Sequence, residues 1–160
     1  MAAARAAGAT TSLDTGWDAR NEWAAVIDPA LPHTGVLFVN REEAGRLSGH
    51  VDLDTAAAYF LERGVGLVVI KLGARGCSVR SAERTMEVPG FAVQAIDTTG
   101  AGDCFAGGFL AALQRGMTVL EAARFANAVG ALSVQELGAV AGVRGFEETI
   151  EWMGSASVSV

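Results

Sequence analysis

The sequence predicts an α/β fold, in which a layered sheet is packed against helices. Short apolar runs such as Val36–Val39 and Leu67–Ile70 alternate along the chain with segments of helical periodicity. The run Leu67–Ile70 is apolar throughout, which is typical of a strand that is covered on both faces. A length of 160 residues and an apolar content of 51% are sufficient for one domain with a substantial core.

The first half of the chain predicts strands that are followed by helices. Thr11–Asp14 is a short strand that ends in an acid, and Val36–Val39 is a β-branched strand. Arg41–Leu47 forms a short helix that a Ser-Gly pair ends, and Asp54–Arg63 forms a helix that starts with an aspartate cap. In sheets of this kind, ligands bind beyond the carboxyl ends of the strands, so the loops that follow the strands are the informative ones.

The second half predicts a hairpin, one further strand and three helices. The polar turn Ser81–Arg84 separates the strands of the hairpin, and Thr118–Glu121 is a capping box that opens a helix. The predicted segments are the strands Cys77–Arg80, Thr85–Val88 and Phe91–Ile96, a helix with Phe105, Phe109, Ala112 and Leu113 on one face that ends at Gly116, a helix from Thr118 to about Val134, and the helix Phe146–Met153. We expect residues 155–160 to fray.

Composition excludes several classes of function. The net charge is −6 and Lys71 is the only lysine, so the chain is a poor binder of nucleic acid or of an anionic membrane. No Gly-Lys-Ser/Thr sequence is present, which excludes a Walker A loop. Cys77 and Cys104 stand alone and indicate two reduced, mostly buried thiols rather than a zinc site.

We predict a cytoplasmic protein. The amino-terminal segment has no long apolar core and does not resemble a signal peptide. No apolar run reaches the roughly 18 residues that a membrane span needs.

The loop that follows Ile96 predicts an anion pocket. Gly100 and Gly102 remove side chains where a backbone would approach a ligand closely. The helix that follows offers unpaired N–H groups and the positive end of its dipole. Amides of this kind can stabilise a phosphoryl charge without a cation, which suits a chain with one lysine.

Asp103 places a carboxylate in the first turn of that helix, and two explanations are open. It can be a helix-end charge that the dipole stabilises by about 0.3–1 kcal/mol. It can instead be a general base that the same helix end keeps ionised and that takes a proton from an attacking hydroxyl. Gly107 and Gly108, inside the same helix, suggest that the helix packs closely against a neighbour.

Four segments together resemble the ribokinase-like (PfkB) carbohydrate kinases. Asp97–Phe109 resembles the C-terminal signature of that family over thirteen consecutive positions. Leu37–Ala44 resembles its Asn-x-x-Glu element, and Ile70–Gly76 is similar to its nucleotide-side Gly-x-x-Gly loop. The fourth match, upstream of the Asn-x-x-Glu element, consists of Asp14, Arg20 and Trp23. The order and spacing agree, and the resemblance covers about residues 8–153.

The resemblance implies a place for each reacting group. Asp103 would be the catalytic base, and the amides of Gly100, Ala101 and Gly102 would form the anion hole for the γ-phosphoryl group. Phosphoryl transfer depends mostly on positioning and on charge stabilisation, so this arrangement suits the chemistry.

The resemblance also implies ATP and Mg²⁺ as cofactors, with a monovalent cation such as K⁺ in many members. Asn40 and Glu43 would organise Mg²⁺ and its waters, since Mg²⁺ favours few carboxylates, several waters and substrate phosphates. The nucleotide would be lined by Lys71, Gly73 and Gly76, with Gly102 at the phosphates and Asn127 near the adenine or ribose. The monovalent cation would be held by Asp97 and Thr99, with carbonyls near Ser133, Glu136, Gly138 and Gly142.

Several of these residues also have a purely structural explanation. Asn40 can simply cap the helix that follows it, and Glu43 can be a solvated helix charge. Lys71 can be a strand-end lysine in solvent, and Asn127 can be a surface or interhelical amide.

The sequence also departs from the family, whose members are usually longer. In the family, a sugar-binding half and a small β-sheet lid lie upstream of the segments matched here, and we expect this sequence to lack them. We therefore expect an incomplete three-layer, Rossmann-like sheet of ribokinase type with helices on both faces, formed by residues 1–154 with the anion hole at 97–103. The missing strands would leave a sheet edge uncovered, so we expect a homo-oligomer or a partner that supplies the missing half.

The predicted function is ATP-dependent phosphoryl transfer to the hydroxyl of a small sugar. Two alternatives stay open: a nucleotide-binding module without turnover, and a folded remnant that serves only as an interaction partner. The sequence does not identify the sugar.

Overall fold

The computed structural model describes residues 1–20 and 22–159, which form two compact units. The first unit contains Met1–Lys71 and Ser78–Thr85, and the second contains Leu72–Cys77 and Met86–Val160. The strands are β1 (Ser12–Asp14), β2 (Val36–Asn40), β3 (Leu67–Lys71), β4 (Cys77–Arg80) and β5 (Thr85–Val88). The helices are α1 (Ala2–Ala6), α2 (Ala24–Ile27), α3 (Arg41–Ser48), α4 (Leu53–Glu62), α5 (Ala101–Gln114), α6 (Val119–Ser133) and α7 (Phe146–Ser155). Short 3-10 helices cover Asp28–His33 and Gly73–Arg75.

The five strands form one sheet in the order β1-β2-β3-β4-β5. β1, β2 and β3 are parallel, and their register pairs Asp14 with Phe38 and Asn40 with Lys71. The tight turn between β4 and β5, where the Ser81 amide donates to the Arg84 carbonyl, makes the sheet mixed. The predicted α/β class with a hairpin is therefore confirmed.

In the first unit, the apolar runs of β2 and β3 build the core. Leu37 to Val39 and Val68 to Ile70 are almost fully buried, as the continuous apolar runs predict. Helix α4 adds Ala56, Ala57 and Phe60 to the same core, at helical spacing. The cap of α4 differs from the prediction: the carboxylate of Asp52, not Asp54, accepts from the Thr55 amide at 3.0 Å. Asp54 lies one position inside the helix and pairs with Arg80 at 3.1 Å.

In the second unit, helices α5 and α6 pack closely. A Cβ atom built on Gly108 would lie 2.9 Å from Cγ2 of Val129 in α6, so glycine lets the two helices approach. Gly107, by contrast, has no heavy atom within 4 Å of the corresponding position. Phe125 of α6 stacks on Phe146 of α7 with ring centroids 4.3 Å apart.

One expectation for the carboxyl-terminal part is wrong. Phe91–Ile96 is not a strand: only Phe91 forms an isolated bridge, and the amide of Ile96 donates to the Val134 carbonyl at 2.7 Å. Ile96 is 66% exposed, so the end of this segment does not lie on a buried face. Residues 157–159 pair antiparallel with residues 90–92, and the expected fraying of residues 155–160 stays a prediction. The amide of Ser159 donates to Gly90 at 2.8 Å, and Ser157 accepts from Ala92 at 2.9 Å.

Among the described residues, no helix combines the length and the apolar character that crossing a bilayer requires.

The two adjacent glycines of α5 should respond in opposite directions to substitution. Gly107→Ala should raise the free energy of unfolding by about 0.5–1 kcal/mol, because alanine has the higher helix propensity and meets open space. Gly108→Ala should lower it by about 1–3 kcal/mol, because the added methyl overlaps the stiff side chain of Val129. Urea unfolding of both variants measures the difference, and equal effects would contradict the proposed packing.

Candidate functional site

The glycine loop ends in a backbone conformation that requires glycine. Gly100 is the N-cap of α5 and has φ +72°, in the left-handed region that other residues rarely adopt. A Cβ atom there would lie 2.8 Å from the Cβ of Ala139 and 3.1 Å from its carbonyl oxygen. The turn at Gly100 is thus fixed both by its dihedral angles and by its contact with Ala139.

The amino terminus of α5 carries no side-chain cap. The Ala101 amide donates to the Thr98 carbonyl at 3.3 Å, whereas the amides of Gly102 and Asp103 occupy first-turn positions that have no intrahelical acceptor. The fourteen-residue helix adds the positive end of its dipole. An anion therefore meets backbone donors here that no side chain caps.

Asp103 projects from this first turn and is solvent-exposed. No residue in the described ranges 1–20 and 22–159 gives its carboxylate a hydrogen bond or an ion pair. It is thus accessible to a proton donor from outside the protein. Its position is equally consistent with a helix-end charge.

Asp97 closes the loop that precedes α5. Its Oδ1 accepts from the Thr99 amide at 2.9 Å, and its Oδ2 accepts from the Gly138 amide at 2.9 Å. These bonds favour the charged form, so the pKa of Asp97 is lowered, chiefly by the Thr99 amide and side chain and then by Gly138. One carboxylate thereby joins two segments that are 41 positions apart in the chain.

The segment around Gly138 contacts α5 as well. The thiol of Cys104 donates to the Ala139 carbonyl, with Sγ and O 3.2 Å apart, and partial burial raises the pKa of that thiol. Ser133, at the end of α6, is fully buried, and its hydroxyl donates to the Gly130 carbonyl at 2.8 Å. The hydroxyl hydrogen of Ser133 is thus used within α6.

The Gly73–Gly76 turn is a compact structure of the second unit. The amide of Gly76 donates to Gly73 at 2.9 Å, and its carbonyl accepts from Leu72 at 2.8 Å. A Cβ atom on Gly76 would lie 2.1 Å from the Val88 carbonyl oxygen, so glycine is needed for this close approach. Gly73 has no atom within 4 Å of its Cβ position and faces open space.

Asn127 is buried, with an exposed fraction of 6%. Its Nδ2 donates to the carbonyls of Val88 and Pro89, both at 3.1 Å. The protein backbone thus uses both amide hydrogens, which leaves none for an adenine or a ribose. This geometry agrees with the alternative, a structural amide, and the nucleotide contact of Asn127 stays a prediction.

In the first unit, Asn40 and Glu43 form a reciprocal capping box at the start of α3. Asn40 Oδ1 accepts from the Glu43 amide at 2.8 Å, and Glu43 Oε2 accepts from the Asn40 amide at 2.8 Å. Glu43 is only 5% exposed, so it is not a solvated helix charge. The hydroxyl of Thr15, which follows β1, donates to the same Oε2 at 3.0 Å.

Lys71 is ion-paired rather than free in solvent. Its Nζ lies 2.6 Å from Oδ1 of Asp14, and the side chains of Lys71 and Asp14 are 14% and 25% exposed. The pair joins the carboxyl ends of β1 and β3, on either side of β2. It places the only lysine of the chain beside the strand end that carries Asn40.

The site residues form two groups, one in each unit. The first unit brings together Asn40, Glu43 and Lys71 at the carboxyl ends of β2 and β3. The second unit joins Asp97 and Thr99 to Gly138, next to the helix that begins at Ala101.

Sequence reasoning missed Thr15 and Ala139. A hydroxyl directly after a predicted strand was a usable signal for Thr15, whereas nothing local pointed to Ala139.

Within the described part of the chain, no cluster of three or more His, Cys, Asp or Glu side chains could hold a metal ion. A cage made only of protein ligands is thus absent there. Mg²⁺ is often bound without such a cage, through one or two carboxylates together with waters and substrate phosphates.

The bonds of Asp97 should depend on pH. Because its folded-state pKa is lowered, the loop is stabilised above the ordinary aspartate pKa of about 3.9 and loses that stabilisation as the pH falls through the lower, folded value. In ¹⁵N NMR titrations, the amides of Thr99 and Gly138 should shift together with a midpoint below about 3.9. Asp97→Asn should abolish this transition, and Glu147→Gln should leave it in place. A midpoint at or above the ordinary value would contradict the two amide bonds.

The chain is similar in sequence to a known protein family. The model of the pfkB family carbohydrate kinases matches residues 1–144. The ribokinase of Haemophilus influenzae is 38% identical over 134 residues, which cover 81% of this chain and 44% of that protein.

Two solved structures share the fold. A protein described as a ribokinase II from E. coli, in complex with ATP and Mg²⁺, aligns with a TM-score of 0.86 and 32% identity over 94% of this chain and 50% of that one. The fructokinase of Vibrio cholerae O395, bound to fructose, ADP and a calcium ion, aligns with a TM-score of 0.86 and 29% identity over 95% of this chain and 53% of that one. This chain thus spans about half the length of the relatives that it matches, and it belongs to the pfkB family of carbohydrate kinases.

Proposed function

We propose that this chain carries the nucleotide site and the catalytic base of an ATP-dependent sugar kinase. The observation that supports this most directly is the start of α5, where uncapped backbone donors lie beside an exposed carboxylate, Asp103. Membership of the pfkB family supplies the substrate class, and relatives include a ribokinase and a fructokinase.

The anion hole is assigned to the amides of Gly100, Ala101 and Gly102. Because no side chain caps α5, the amide of Gly102 is available to a phosphoryl oxygen, whereas the amide of Ala101 would share its hydrogen with the Thr98 carbonyl, 3.3 Å away. The contact between Gly100 and Ala139 holds the turn in place before a ligand arrives, so little reorganisation is needed.

Asp103 is assigned the role of general base. Its carboxylate takes the proton of a sugar hydroxyl as the hydroxyl oxygen bonds to the γ-phosphorus of ATP. The bond between that phosphorus and the β–γ bridging oxygen breaks, and ADP leaves with the electron pair. The products are the phosphorylated sugar, ADP and a protonated Asp103, which returns its proton to solvent.

Mg²⁺, when bound, would neutralise charge on the phosphates. The residues fit such an ion: Glu43 Oε2 is occupied by protein donors, and its Oε1 receives no hydrogen bond from the described residues. Glu43 would therefore act on the ion or its waters through Oε1, with Asn40 fixing the orientation of the carboxylate.

Lys71, Gly73 and Gly76 are assigned to the nucleotide. Lys71 is held by Asp14, so it would contribute a positioned hydrogen-bond donor more than a mobile charge. The turn at Gly73 is open to solvent, which leaves space for a ligand beside it.

The assignment of a monovalent cation site beside the anion hole has less direct support than the assignments above. Asp97 and Thr99, with the carbonyls of Ser133 and Gly138, provide the hard oxygen donors that such an ion prefers. Both carboxylate oxygens of Asp97 already accept an amide hydrogen, so the ion would share oxygens that the fold uses.

A second candidate is a nucleotide-binding module without turnover. The observation that favours it is that the chain aligns with only about half of each relative. Titration with ATP and Mg²⁺, followed by a coupled assay of ADP release with ribose and with fructose, separates the two. Sugar-dependent ADP release supports the kinase, and binding without release supports the module. The absence of any binding would refute both.

Asp103→Asn tests the catalytic base. Loss of a general base should lower sugar-dependent turnover by about 10²–10⁴-fold while ATP affinity changes little. Glu147→Gln, which removes an exposed first-turn acid from α7, is the matched control and should leave turnover unchanged. If Asp103→Asn and Glu147→Gln behaved alike, Asp103 would be only a helix-end charge.

A further inference from the structure

Glu43 receives one hydrogen bond that its capping box does not need. The box is complete when Asn40 and Glu43 exchange bonds within four consecutive residues. The additional donor is the hydroxyl of Thr15, 28 positions earlier in the chain and directly after β1.

Thr15 is itself hydrogen-bonded to the middle of β2. Its amide donates to the Phe38 carbonyl at 3.1 Å, and its hydroxyl lies 3.3 Å from the same oxygen. Since Asp14 is in register with Phe38, these bonds continue the β1–β2 pairing by one residue. The hydroxyl is thereby fixed by the sheet and not by a flexible loop.

The capping box of α6 provides an internal comparison. There Glu121 Oε2 accepts only from Thr118, through its amide at 2.8 Å and its hydroxyl at 2.7 Å, and the group is solvent-exposed. Glu43 forms the same local motif but is buried, and it gains a donor from another element. Both donors converge on Oε2, which leaves Oε1 as the oxygen without a protein partner among the described residues.

We propose that Thr15 is a positioning residue that determines which oxygen of Glu43 is presented to Mg²⁺ or to its bound water. By holding Oε2 against the protein, it prevents the carboxylate from rotating and exchanging its two oxygens. Partners that orient a ligating carboxylate commonly change metal affinity by about 10–100-fold when they are removed. This inference rests on the proposed function, because it assumes that the nucleotide arrives with Mg²⁺.

The test compares Thr15→Val with Thr15→Ser in the full chain. Valine keeps the shape and loses the hydroxyl, and serine restores the donor. Thr34→Val is the matched control, because Thr34 is also buried in the first unit and donates its hydroxyl to Ala30 at 2.9 Å, without a bond to Glu43. Thermal unfolding and circular dichroism verify that each variant is folded.

The main readout is the ratio of ATP affinity in Mg²⁺ to ATP affinity in EDTA, measured by calorimetry. Thr15→Val should lower this ratio about tenfold, with affinity in EDTA unchanged, and Thr15→Ser should restore it. Thr34→Val should lower thermal stability and leave the ratio as it is. With Mn²⁺ in place of Mg²⁺, water-proton relaxation of the ATP complex should change in Thr15→Val and not in Thr34→Val.

Three results would overturn the proposal. An unchanged affinity ratio in Thr15→Val would show that Thr15 does not position the carboxylate of Glu43, and the proposed function would stand. A loss of affinity in EDTA as well, or an equal effect of Thr34→Val, would reveal general damage to the first unit. If the unaltered chain bound ATP with no dependence on Mg²⁺, both this inference and the assignment of Glu43 would be refuted.

Discussion

The geometry of the anion loop depends on one carboxylate. Asp97 accepts one amide from Thr99, two residues ahead, and one from Gly138, which lies beyond α6. Ala139, next to that second amide, occupies the space that a side chain at Gly100 would need, and it accepts the thiol of Cys104. The turn at Gly100 and the segment around Gly138 therefore determine each other's conformation. The start of α5 is thus fixed by contacts from outside the helix.

The helices of this chain begin in different ways. α3, α4 and α6 each begin with a side chain that accepts from a first-turn amide, namely Asn40, Asp52 and Thr118. α5 begins at a glycine without such an acceptor. Caps stabilise helix ends by about 1 kcal/mol, so an uncapped end is a cost that a bound anion can offset.

Much of this arrangement could be predicted from local sequence. Three features involve only neighbours within a few residues: the apolar runs of β2 and β3, the glycine turn before α5, and the spacing of Asn40 and Glu43. At this range, the conformational propensity of each residue and hydrogen-bond geometry determine the local structure. The long-range contacts could not be predicted. Asn127 donates to carbonyls 38 and 39 positions away, and the tail pairs with residues 90–92. Phe91–Ile96 was predicted as a strand, but the amide of Ile96 donates to the Val134 carbonyl and its side chain faces solvent.

Strand β1 stands at one end of the sheet and is only three residues long. So short a segment offers few main-chain groups on its outer side, and its last residue carries a charge that is already neutralised by Lys71. Main-chain pairing alone would specify the alignment of an incoming strand poorly. Any polypeptide that extends the sheet at this end must therefore be aligned by its side chains. This edge of the sheet is thus selective for the strand that pairs with it, and it promotes uncontrolled self-association poorly.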